Sequence, residues 1–143
     1  MAIAPNTAAD VEVGQELPPF VRTVDFANWN RYAAVNDEFV PIHMDDEAGQ
    51  AAGYPGAFGM GNLQVAYLHL MLRTWMGIDR GRIVQVSCQL RNATLKNETV
   101  TAKGRVTAVR PDGDETIVEL EVWTEGAAGQ PLAPGTAVVA LPI

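Results

Sequence analysis

Cysteine is nearly absent. Among 143 residues there is one, Cys88. A single thiol forms no internal disulfide, which removes the disulfide-framed classes and fits a reducing compartment. Cys88 lies in the strand-like run IVQVSCQL with no second catalytic group beside it, so it reads as a small buried apolar residue and not a nucleophile. Histidine is almost as scarce. His43 and His69 form no zinc-type spacing with each other or with the acids, and no metal site is expected. Positive charge is short as well: 10 Lys and Arg stand against 17 Asp and Glu, a formal net charge of −7. An acidic chain without a basic run repels phosphate backbones, which excludes nucleic acid as a partner. The start carries no basic segment followed by an apolar core, so no secretory signal is expected. A cytoplasmic location follows, where the sequons at Asn92 and Asn97 carry no meaning. The longest apolar run, GMGNLQVAYLHLMLRTWMG, is interrupted by Asn62, Gln64, His69 and Arg73 and reads as a buried helix, not a membrane span. Internal repeats and low-complexity segments are also missing.

What is present fits one globular domain, residues 1–143, with 48% hydrophobic and 19% charged residues. Such a chain buries one core but has little room for a deep pocket inside a single subunit. Residues 1–14 read as a loose lead-in. PPFVRTV reads as a strand. Asp25 is a good N-cap, and Phe26, Trp29, Tyr32 and Ala33 recur at the spacing of a helix of about three turns. MDDEAGQAAG predicts a short helix, with Asp45 and Asp46 near its positive end. GYPGAFGMG is a glycine-rich loop that needs unusual backbone angles or close backbone approach. A long helix over 60–76 follows, with His69 expected as a hydrogen-bonded core histidine. Beyond Gly77 four runs are β-rich: RIVQVSCQLRNAT, ETVTAKGRVTAVR, ETIVELEVWTE and PGTAVVALPI. Trp29, Trp75 and Trp123 are expected in the core or at an interface. One long helix against an antiparallel sheet is an α+β arrangement, and its open strand edges invite pairing with a second chain.

One stretch resists a purely structural reading. In NDEFVPIHMDDEAG an apolar tetrapeptide separates Glu38 from His43. The longer segment YAAVNDEFVPIHMD resembles the hydratase motif of the MaoC-like, R-specific enoyl-CoA hydratases and dehydratases. Tyr32, Ala33, Ala34, Pro41, Ile42 and His43 match. The family's catalytic aspartate falls on Glu38, its asparagine on Val40 and the glycine before the aspartate on Asp37. Gly59-Met60 resembles the Gly-Met pair that opens the family's central helix. QLRNATLKNET resembles a strand-turn motif, with Ala93, Asn97 and Glu98 in place of its proline, glycine and aspartate. The resemblance covers roughly residues 15–140.

The resemblance implies a hotdog fold, a bent antiparallel sheet wrapped around a long helix, paired with its own copy or a related subunit. It implies addition or removal of water across the α,β double bond of an acyl thioester carried by coenzyme A or an acyl carrier protein, with neither metal nor redox cofactor. Glu38 and His43 would hold and activate the water. The backbone N–H of Gly59, or of a neighbour at the helix start, would stabilise the thioester oxygen. Asp37, Val40, Phe58, Met60 and Arg82 would contact substrate, Arg82 through a phosphate of coenzyme A. Pro41 fixes its own φ and holds Val40 extended, so the insert reads as a turn that sets acid and imidazole side by side. Glutamate is one methylene longer than aspartate, and Val40 lacks the asparagine's amide. Asp37 is the alternative acid, but the Pro41-Ile42-His43 register selects Glu38. Two other readings stay open: a non-catalytic hotdog subunit, and a hotdog thioesterase.

Overall fold

The computed structural model describes residues 8–77 and 79–143. After β1 (Phe20–Thr23), helix α1 (Phe26–Asn36) starts at the expected cap. The Asp25 carboxylate accepts the Asn28 N–H at 3.0 Å, and the Asn28 side chain accepts the Asp25 N–H at 3.2 Å. This reciprocal box satisfies two amides that a helix start otherwise leaves orphaned. Trp29 and Ala33, four residues apart on one face, are the buried residues of α1. The predicted turn at Phe39–Ile42 is in part helical: α2 (Pro41–Met44) opens with proline at its first position, where no N–H is needed. Then come α3 (Asp46–Ala51) and the central helix α4 (Gly61–Met76).

The four β-rich runs become β2 (Arg82–Cys88), β3 (Thr99–Asp112), β4 (Glu115–Glu125) and β5 (Pro131–Pro142). Together with β1 they form one antiparallel sheet in the order β1-β3-β4-β5-β2. β3, β4 and β5 follow one another as a meander, and β2 crosses to the far edge to pair with β5. Alternation decides the sheet's inner face. On β4, Val118, Leu120 and Val122 are buried against α4, while Glu119 and Glu121 face water. From the helix, Leu68, Met71, Leu72 and Trp75 fill the space they enclose. Each such buried side chain contributes about 1.5–3 kcal/mol, so this seam carries most of the fold's stability.

The described part of the lead-in, residues 8–14, is not loose. Ala8–Asp10 form one 3-10 turn, Val11 is buried, the Gly14 N–H donates to the Val106 carbonyl at 2.8 Å, and the Val106 N–H donates back to Gln15 at 2.9 Å. β3 has unpaired backbone groups beyond the short β1, and the lead-in satisfies them. The first seven residues lie outside the described residues. His69 is half-buried, its Nδ1 donating to the Val65 carbonyl one turn back at 2.9 Å. Trp123 lies half-buried on the outer face, donating to Glu125 at 3.1 Å. No described helix is long and apolar enough to cross a membrane.

Candidate active site

α1 ends at Asp37, whose φ of 53° and ψ of 41° are left-handed. Aspartate tolerates that region better than most residues, which explains an acid where the resemblance places glycine. The chain then extends through Val40, at φ −91° and ψ 130°, into α2. That helical turn carries His43 into a buried position. Its Nδ1 lies 2.6 Å from the Phe58 carbonyl oxygen. A carbonyl only accepts, so Nδ1 carries a proton, and Nε2 has no hydrogen-bond partner among the described residues. Phe58 meets the imidazole edge to face at 5.4 Å, and Tyr54 stacks on Phe58 at 4.1 Å.

Asp46 holds this loop in place. One carboxylate oxygen accepts the Ala57 N–H at 3.0 Å, and the other takes Lys96 at 2.7 Å. The lysine, then the Ala57 amide, hold the Asp46 carboxyl below the usual carboxylate range. Asp45, by contrast, caps α3, as its position suggests. Next in the chain, the Gly59 N–H donates to the Thr94 carbonyl at 2.8 Å. A donor already engaged is not available to a substrate. Met60 precedes α4 without a capping side chain, and among the described residues the N–H groups of Gly61 and Asn62 have no partner. Unpaired amides at a helix start, with the dipole behind them, suit a developing negative charge.

A cleft of about 190 Å³ opens beside His43 and the start of α4. His43, Tyr54, Phe58, Gly59, Gly61 and Gln64 line one side, and residues 90–93 close the other. Of the residues singled out from the sequence, His43, Phe58 and Gly59 come together here. Glu38, partly exposed at the end of α1, is not in the lining, nor are Asp37 and Val40. The Tyr32 hydroxyl is raised in pKa by burial first and by the Glu38 charge second. Met60 is fully buried in the core cluster and is not in the cleft lining. Arg82 is elsewhere. It forms two hydrogen bonds to Glu115, at 3.1 and 2.7 Å, and borders a different cavity of about 430 Å³ at the other end of α4. The arginine at the cleft is Arg91, which donates to Gln89. Sequence reading missed Arg91, Tyr54 and Gln64, since nothing local marks a residue that joins a site only through folding. Among the described residues no group of three or more His, Cys, Asp or Glu is placed to hold a metal ion.

No protein-family model matches the chain, and no curated protein sequence does. Solved structures do. An (R)-hydratase from A. caviae involved in PHA biosynthesis superposes with a TM-score of 0.83 at 24% identity, over 92% of this chain and 98% of that one. A MaoC-like dehydratase from Rhodospirillum rubrum gives 0.78 at 22% identity, over 94% of each chain. This chain has the hotdog fold. The ChsH1-ChsH2 complex from Mycobacterium tuberculosis shares it as well, with a TM-score of 0.80 at 22% identity over 91% of this chain and 98% of that one. On the hotdog frame the cleft lies at the amide end of the central helix, with His43 brought to it by the two short helices.

Proposed function

We propose that the chain is a MaoC-like hydratase or dehydratase acting on an enoyl or 3-hydroxyacyl thioester of coenzyme A or an acyl carrier protein. The observation that carries this reading is the meeting, in one cleft, of the His43 imidazole, whose Nδ1 is engaged by the Phe58 carbonyl, with Gly61 at the start of α4, whose N–H has no partner among the described residues. In the hydration direction His43 takes a proton from water, and the resulting hydroxide bonds to the β-carbon. The double bond's electrons move onto the thioester oxygen, where the Gly61 N–H stabilises the charge. A proton then goes to the α-carbon, restoring the carbonyl. The His43 imidazolium returns the proton, and Glu38 helps hold the water. For that its carboxylate must swing from the end of α1 over the rim of the cleft, a reach that the extra methylene of glutamate favours.

Crotonyl-CoA hydration, followed as loss of enoyl absorbance, tests the proposal. His43→Ala and Glu38→Gln are each expected to lower kcat by about a hundredfold to ten-thousandfold. Release of free thiol would mark a thioesterase instead. A second reading is a non-catalytic subunit of a heteromer, favoured by the absence of Glu38 from the cleft lining. The two-component ChsH1-ChsH2 complex has the same fold. Inactivity of the pure chain, with activity regained beside a related hotdog chain, would select that second reading.

A further inference from the structure

We infer that the cleft takes a short acyl group, and that Gln64 sets the limit; the inference rests on the hydratase reading above. Gln64 follows Gly61 by one turn of α4, so the two positions share a face, and both line the cleft. An acyl chain extending along the helix from a carbonyl held at Gly61 meets the Gln64 side chain first. That side chain is buried and held at both ends. Its Nε2 donates to the Asn92 carbonyl at 3.1 Å, and its Oε1 accepts the hydroxyl of Thr124 on β4. Displacing it breaks two hydrogen bonds and leaves polar groups unpaired in the core. Behind it, the next positions on the same face are Tyr67, Leu68 and Met71, all buried in the helix–sheet seam.

Size and polarity point the same way. The cleft measures about 190 Å³. That holds a thioester carbonyl, the reacting double bond, one water and a terminal methyl. Further methylenes would press on an amide that offers them no apolar surface.

The test is the chain-length profile of the whole protein. kcat/KM should fall about tenfold or more from crotonyl-CoA to 2-octenoyl-CoA. Gln64→Ala, which shortens the floor, should raise the octenoyl-to-crotonyl ratio about tenfold, whereas Gln64→Leu, which keeps the volume, should leave it low. An unchanged ratio in a folded Gln64→Ala overturns the role of Gln64. If that variant does not fold, the native profile decides, and a flat or rising profile overturns the limit. Failure to hydrate any chain length overturns the hydratase reading, and the limit with it.

Discussion

At Gly59 a side chain has no room, because a Cβ built there collides with the Thr94 hydroxyl and the indole of Trp29. Both neighbours are buried, so neither yields cheaply. Gly59→Ala is expected to destabilise the protein by about 1–3 kcal/mol, read as a lower urea midpoint at unchanged slope. Gly61→Ala serves as the contrast. Its Cβ would meet only the tip of the Leu90 side chain, which is half-exposed and able to rotate, and helical alanine is favoured over glycine. Its midpoint should stay near that of the unmodified protein, and equal losses in the two variants would contradict this packing. At this scale the sequence identified the buried imidazole and the glycine beside it. It left the amide donor open between Gly59 and a neighbour at the helix start, because the Thr94 carbonyl that occupies the Gly59 N–H arrives from a distant segment.

Among the elements, α3 acts as a clamp on the glycine-rich loop. Asp46 joins α3 to the Ala57 amide and to Lys96, whose ammonium also lies 4.6 Å from the Phe26 ring centre. The folded state depresses the Asp46 pKa below its unfolded value, which is about 3.9. Its contribution is therefore present above that pH and lost as pH falls through the lower folded value. Asp46→Asn should be less stable than the unmodified protein at about pH 7, and the difference should shrink toward about pH 3. Paired urea titrations at the two values check it. The ion pair is half-exposed, so added salt should weaken the effect. The helix capped by Asp25 and ending at Asn36 and the alternation in β4 are readable locally, since capping and periodicity act over a few residues. The clamp role of Asp46 is not, because a partner eleven residues away sets it.

For the whole molecule, the sheet's order leaves β2 as an exposed edge, with Val84 about half-exposed at an irregularity in its pairing to β5. An open edge with an apolar residue is a surface on which a second hotdog chain can pair. The purified protein is expected to sediment at twice the chain mass, and Val84→Lys at the single mass with its thermal midpoint little changed. A paired Val84→Lys variant would place the contact elsewhere.

The sequence by itself determined the strands, the long helices α1 and α4, the inward pattern of β4 and the cap of α1, because each follows from chemistry between near neighbours in the chain. Only the tertiary structure decided that β2 lies beside β5, that Arg82 pairs with Glu115, that Gln64 floors the cleft and that residues 90–93 wall it. Those are contacts between remote segments. They are selected by how one helix and five strands pack together, and no local spacing records that choice.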